Sequence, residues 1–261
     1  MIINNCTIVI TGASSGLGGE MARLLAAKGA CIVMLARNEQ NLAEIRRQIA
    51  IEGGHAYYYV LDITRPQEVR CVFKQIINRF NGIDILINCA GIGKFQSLSE
   101  MNDEIIDRMI DVNVRGMIHC SKAVLASMVP KKRGCIVNIA SLAGIVTTPK
   151  SVVYGATKHA VIGFSDGLRL ELEQDGIRVI VVNPGPIRTP FLSFADPSGS
   201  YVAHAGRYML KPRAVAEKIV HAIEKNKREL RIPWYMGIGA RLYQMLPVLF
   251  EKVFKSFLKL K

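Results

Sequence analysis

Two rhythms alternate along this chain. Short runs made almost wholly of Val, Ile, Leu and Met are separated by longer stretches in which apolar residues recur every three to four positions. The short runs are CTIVITG at 6–12, CIVMLAR at 31–37, HAYYYVLD at 55–62, IDILINCAG at 83–91, GCIVNIAS at 134–141 and IRVIVVNPG at 177–185. Runs with so few polar positions predict strands buried on both faces. Between them, 16–29, 38–54, 65–82, a long stretch from Ser99 to about Val129, and 151–176 predict helices. The stretch 211–234 predicts a further helix and a final edge strand. Glycines close the first two helices and Pro66 opens the third, where a missing N–H costs nothing. Strand and helix in strict alternation imply an α/β fold: a doubly wound parallel sheet of about seven strands with helices on both faces.

Composition narrows the class. The 261 residues suit one large α/β domain, and no linker, repeat or low-complexity tract divides them. Residues 1–235 read as one catalytic domain, with 236–261 as a helical extension of it. MIINNCTIVITG opens directly on a strand pattern, without the charged region of a signal peptide, and no uncharged apolar run is long enough to span a bilayer. Six scattered cysteines without CxxC spacing read as reduced core residues of a cytoplasmic protein, and neither they nor the five histidines cluster as metal ligands. The formal charge of +13 would suit nucleic acid, an anionic cofactor or an anionic membrane. No basic-aromatic platform or reading-helix motif accompanies it, so nucleic acid is not expected.

TGASSGLG at 11–18 joins the first strand to the first helix. Gly12 suits a tight exit from the strand, and Gly16 and Gly18 leave room for a diphosphate at the helix start, where backbone N–H groups and the helix dipole favour anions. Ser14, Ser15 and Leu17 complete this turn. The plain alternative is a structural βα turn. The second strand runs into Ala36 and Arg37, where an NAD site would commonly place an acid for the ribose 2′-hydroxyl. A guanidinium pairs with a 2′-phosphate in two-point fashion, and Ser14 adds a hydroxyl donor, so NADP(H) is expected over NAD(H). A surface arginine is the alternative reading. Tyr154 and Lys158, in YGATK, are four residues apart and share a helix face. By themselves they read equally as a packed phenol and a lysine reaching for water.

Taken in order, TGASSGLG, LDIT with Asp62, NCAG at 88–91, VNV around Asn113, NIAS ending at Ser141, YGATK and PGPIRT at 184–189 resemble the short-chain dehydrogenase/reductase family, in its compact single-domain branch. The resemblance covers residues 5 to about 232. It departs from the family pattern at Cys89, where a second asparagine is commoner. It implies an oxidoreductase. Asp62 would bond the adenine amino group, with Ile63 offering backbone, while Asn88, Ala90 and Gly91 would line the adenosine ribose side. Pro184 and Gly185 would border the cofactor, and Ile187 and Thr189 would hold its carboxamide.

The same resemblance gives the Tyr–Lys pair a chemistry. A ketone that accepts hydride needs a proton, which Tyr154 would supply. Lys158 would draw the phenol's pKa down from about 10 and hold the nicotinamide ribose. Ser141 would orient the substrate oxygen, and Asn113 would hold a water beside Lys158 for proton resupply. The segment 191–210, rich in aromatics and poor in charge, would form a mobile lid over an apolar ketone, aldehyde or secondary alcohol. The family is often dimeric or tetrameric, so a homo-oligomer is expected.

The last stretch, 240–261, carries Leu242, Met245, Leu246, Leu249, Phe250, Val253, Phe254, Phe257 and Leu258 at helical spacing, with Lys252, Lys255 and Lys259 opposite and Pro247 bending or starting the helix. Two occupants of that stripe stand open: protein, or an anionic membrane at its inner face. Two other functions also stand beside hydride transfer. One is a sugar-nucleotide epimerase or dehydratase of the same Tyr-x-x-x-Lys type. The other is an NADP-binding, membrane-associated protein without turnover.

Overall fold

The computed structural model describes the backbone of residues 2–258 and the side chains of residues 2–253. β1 (Thr7–Thr11) leads into α1 (Gly16–Ala27), β2 (Cys31–Ala36), α2 (Glu39–Ile51), β3 (His55–Val60), α3 (Pro66–Phe80) and β4 (Ile85–Asn88). The second half runs through α4 (Asp103–Ile110), a π-helical turn (Asp111–Gly116), α5 (Met117–Lys131), β5 (Gly134–Ile139), α6 (Val152–Glu171) and β6 (Ile177–Pro184). It continues with the short helices α7 (Phe191–Ala195) and α8 (Ser200–Ala205), then α9 (Pro212–Glu224), β7 (Glu229–Ile232), α10 (Trp234–Met245) and α11 (Pro247–Leu258). All seven strands are parallel, in the order β3-β2-β1-β4-β5-β6-β7. The winding reverses between β1 and β4. That switch opens a crevice beyond the strands' C-terminal ends, because the crossovers on either side leave in opposite directions.

The period of two along each strand divides the core. Ile8, Ile10, Ile85 and Ile87 face α1 and α9, where Met21, Leu25, Ile219 and Val220 meet them. Val9, Val33, Leu86 and Ile136 face the other way, onto Phe73 and Ile76 of α3, Val124 and Met128 of α5, and Leu168 of α6. Each such fully buried side chain contributes about 1.5–3 kcal/mol by its removal from water. Two apolar layers around one sheet explain why the central stretches of β1, β2, β4, β5 and β6 are runs of apolar residues.

The long helix expected over 99–129 is three pieces. Asn102 caps α4 by accepting from the Glu104 N–H at 2.8 Å, so the helix starts at Asp103. The π-helical turn then admits one extra residue per turn before α5 resumes. The helix expected over 151–176 ends at Glu171, and Gly176 closes the turn into β6 at φ +66°. The lid segment is not an irregular loop but the two short helices α7 and α8. Pairing of Ile187 with Leu210 closes its base, and the Phe95 N–H bonds the Ala195 carbonyl at 2.7 Å. Pro247 starts α11 rather than bending one long helix. The side chains of Phe254, Phe257, Leu258, Lys255 and Lys259 lie outside the described residues.

Candidate active site

A cavity of about 1330 Å³ follows the crevice from the α1 turn to α10. At its dinucleotide end, Gly12 takes φ +68°, and a Cβ there would stand 2.7 Å from the Ala90 Cα. Only glycine allows β1 and β4 to close this tightly. The Thr11 hydroxyl secures the same junction, accepting from the N–H groups of Cys89 and Ala90 at 3.1 Å each. Gly18 answers a packing need besides the one expected. A Cβ on Gly18, which also lines the cavity, would meet the Gly12 carbonyl oxygen at 2.4 Å, so its bareness lets α1 pack against its own turn. Ser15 does not cap α1 with its side chain, which leaves the helix's first N–H groups turned to the cavity.

Ser14, Gly16, Leu17, Arg37, Asp62, Ile63, Ala90, Gly91, Pro184, Gly185, Ile187 and Thr189 all line this cavity. Arg37 is exposed at its rim. Asp62 turns one carboxylate oxygen to the Thr64 N–H and hydroxyl, at 3.0 and 2.8 Å. Burial works to raise its pKa, but those donors and the guanidinium groups of Arg37 and Arg65 hold it below the usual carboxylate value. Asn88 is not a lining residue. Its amide is buried behind β4 and donates to the Ser121 hydroxyl and the Asn138 carbonyl oxygen at 3.0 and 2.9 Å. It ties β4 to β5 and α5, and the residues after β4 that do line the cavity are Cys89, Ala90 and Gly91.

The reactive groups lie where this crevice meets an apolar chamber. Tyr154 and Lys158, one turn apart on α6, are both buried, and Ser141, whose hydroxyl oxygen accepts from the Ala143 N–H at 3.0 Å, lines the same cavity. Lys158 Nζ donates to the Ile139 carbonyl at 2.9 Å and lies 5.9 Å from the centre of the Tyr154 ring. The expected lowering of the phenol's pKa is not found. Burial pushes Tyr154 well above the ordinary tyrosine value, and the nearby Ser141 hydroxyl only partly opposes it. Burial acts on the ammonium in the opposite sense and brings Lys158 down to about 8. The neighbouring Cys89 thiol is held up at about 12 by burial, so it stays protonated and adds no charge.

Asn113 sits in the π-helical turn and does not line the cavity. Its Oδ1 accepts from the Ile92 N–H at 2.8 Å, and its Nδ2 donates to the Ile92 carbonyl at 2.8 Å and the Thr157 hydroxyl at 3.0 Å. The extra residue of the π turn is what aims this amide out of the helix, a role the VNV sequence alone does not reveal. A Cβ on Gly91 would lie 3.3 Å from Asn113 Oδ1 and 3.4 Å from Lys158 Nζ, so the two side chains flank one bare backbone position.

Sequence reasoning did not name the walls of the apolar chamber. Phe95 packs edge-on against Tyr201 and Tyr154, with ring centres 4.9 and 6.0 Å apart, and Phe191 lies 5.6 Å from Tyr154. Leu142, Val146, Ile238 and Leu242 complete it. The aromatics of 191–210 were the available signal for Phe191 and Tyr201. Phe95 follows β4 with no periodic pattern to mark it.

A family model described as short chain dehydrogenase matches residues 6–197, from β1 through α7. The chain belongs to the short-chain dehydrogenase family. It is an oxidoreductase of that family, and its Gly-rich turn, switch-point crevice and Tyr154–Lys158 pair stand in the order already described. An uncharacterized oxidoreductase of Staphylococcus saprophyticus is 36% identical over 219 residues, which is 83% of this chain and 90% of that one. Another, from Staphylococcus aureus, is 32% identical, covering 87% and 94%. Among solved structures, an actinorhodin polyketide ketoreductase with NADPH shares 28% identity at a TM-score of 0.79, covering 87% of this chain and 95% of that one. An alcohol dehydrogenase of the archaeon Thermococcus sibiricus, complexed with 5-hydroxy-NADP, shares 27% at 0.77, covering 88% and 95%. A short-chain dehydrogenase/reductase of Burkholderia phymatum in complex with NAD reaches 0.86 at 24% identity, covering 95% and 96%, and bears on the fold alone. A nicotinamide cofactor follows for this member of the family.

Proposed function

We propose that this oxidoreductase reduces an apolar ketone or aldehyde at the expense of NADPH, with Tyr154 as the proton donor. The observation that carries the reading is the placing of Ser141, Tyr154 and the buried Lys158 on one cavity wall, where the crevice opens into an aromatic chamber. NADPH bound there would supply the hydride. The chain's own residues do the rest. Ser141 and Tyr154 hold the carbonyl oxygen from two sides, and the phenol gives up its proton as charge grows on that oxygen. Tyr154 is protonated at neutral pH, the form a proton donor needs, and burial raises its pKa further. Lys158 remains cationic below about pH 8, which offsets the phenolate left behind. Asn113 fixes Ile92 and Thr157 around this group, and its Oδ1 has a second lone pair for a water leading from Lys158 to solvent.

The chamber's walls support the apolar substrate class: Phe95, Phe191, Phe194 and Tyr201 line it together with Leu142, Val146 and Ile238. Arg37, directly after β2 where an NAD site would commonly place an acid, lines the cavity together with Ser14, which supports the 2′-phosphorylated cofactor. Loss of NADPH absorbance with a panel of apolar ketones and aldehydes tests the reading. Wild type should turn over at least one, and Tyr154→Phe should lower kcat at least 100-fold while cofactor binding is retained. Turnover by Tyr154→Phe at the wild-type rate, or conversion of substrate without net redox change, would reject it.

A further inference from the structure

The cavity does not end in protein. Tyr235, Ile238 and Leu242 of α10 both line it and stand exposed, and with Met245 they continue along one helical face at spacings of three, four and three. Across the mouth, Phe194 and Tyr208 are likewise lining and exposed. Beyond it, Leu246, Val248, Leu249 and Val253 lie open at the α10–α11 junction and along α11, and Met245 is 74% exposed. An apolar surface of this extent around a cavity mouth is unusual on a chain that meets only water.

The charges of this segment are predominantly positive. Residues 234–261 contain Arg241, Lys252, Lys255, Lys259 and Lys261 against a single acid, Glu251. That acid is engaged at home: the Tyr243 hydroxyl donates to it at 3.2 Å, while the Tyr243 and Phe250 rings, 5.6 Å apart, hold the two helices together. Arg241 and Lys252 are exposed, as is Arg207 beside Tyr208, and none of the three makes an ion pair among the described residues.

We propose that α10, α11 and the facing tip of the lid seat this chain on an anionic lipid bilayer, with the cavity mouth turned toward the lipid. Charge complementarity selects that occupant. A second copy would bring the same basic groups into contact with themselves, whereas phosphate headgroups meet them and the interfacial acyl region receives the apolar face. Trp234, 71% exposed, starts α10, and indole rings favour the membrane–water interface. Passage of a substrate from lipid into the chamber rests on the apolar-substrate reading above; the docking itself does not.

The full chain carries its own probe, because Trp234 is its single tryptophan. Vesicles of phosphatidylcholine and phosphatidylglycerol in equal parts should shift its emission to shorter wavelength and carry the protein down on sedimentation, less so as salt is raised. Phosphatidylcholine alone should do neither. Met245→Glu/Leu249→Glu, at two exposed positions outside the cavity lining, should abolish binding while keeping the wild-type melting temperature. Arg241→Gln/Lys252→Gln, which leaves the apolar face intact, should weaken it about fivefold per charge removed. No turnover is measured, so failure here would leave the reductase reading standing. Absence of a shift with anionic vesicles, wild-type binding by the glutamate variant, or dissociation of a wild-type oligomer by that variant would overturn the proposal, the last by giving the face to a second copy.

Discussion

The ε-ammonium of Lys158 donates to the carbonyl oxygen of Ile139 at 2.9 Å, and only 6% of the residue is exposed. One neutral acceptor is meagre company for a buried charge. Burial accordingly lowers the lysine from its usual 10.5 to about 8, a gap worth roughly 3 kcal/mol. The folded state disfavours the charged form, so the penalty is present in full below pH 8. Between pH 8 and 10.5 the unfolded chain holds more protons than the folded one, and stability rises with pH until the penalty is gone. Lys158→Met removes the charge but leaves the Ile139 carbonyl unpaired, which costs about 1–2 kcal/mol. The expected net gain is about 1–2 kcal/mol, or a rise in Tm of about 3–6 °C at neutral pH, shrinking toward pH 10. Thermal unfolding across that range checks it, and a variant less stable than wild type at pH 7 would contradict it.

The same lysine should set the alkaline limb of the reaction. Tyr154 is held protonated well above neutrality, so the first group to lose its proton as pH rises is Lys158, near pH 8. On the proposed mechanism, kcat/KM for carbonyl reduction should be flat near pH 7 and fall about tenfold per pH unit beyond 8. Lys158→Arg, weaker throughout, should lose that limb because a guanidinium does not titrate there. Asn113→Asp would place a carboxylate across Gly91 from the ammonium and should move the limb to higher pH. A pH profile unchanged in both variants would take Lys158 out of the proton chemistry.

Much of this was legible in the sequence, for identifiable reasons. Ile8 and Ile10 face one helical layer and Val9 the other, so a sheet buried on both sides leaves its signature in the central strands. Tyr154 and Lys158 fall one turn apart by helical spacing alone. What escaped depends on the third dimension. The π turn that aims Asn113 at Ile92 has no periodic signature, since it is a break in period. Asn88 and Asn113 both stand in strand- or helix-end positions beside the crevice, yet tertiary hydrogen bonds turn both amides away from it. The sign of the Tyr154 shift was missed because proximity to Lys158 is readable from spacing, whereas complete burial of the phenol is not.

Arg37 offers a test of cofactor choice free of stability effects, because its side chain is exposed. A two-point, charge-assisted contact with a 2′-phosphate is worth about 1.5–3 kcal/mol. Arg37→Asp replaces attraction by repulsion, so kcat/KM with NADPH should fall at least 10–100-fold, while NADH, whose 2′-hydroxyl can donate to the new carboxylate, should gain. Side-by-side kinetics with the two cofactors decide the matter; a ratio unmoved by the substitution would remove Arg37 from the recognition of the ribose.

Gly18 separates packing from ligand binding. A methyl group there would meet the Gly12 carbonyl at 2.4 Å, and that carbonyl belongs to a turn already fixed against Ala90 by the Thr11 hydroxyl. Neither side can yield without shifting α1 along its axis, and overpacking of this kind costs about 1–3 kcal/mol. Gly18→Ala should therefore lower Tm by several degrees without NADPH present. If the glycine served only to make room for a diphosphate, the variant would melt like wild type and differ solely in cofactor affinity. Thermal denaturation of the cofactor-free protein, read beside an NADPH titration, distinguishes the two.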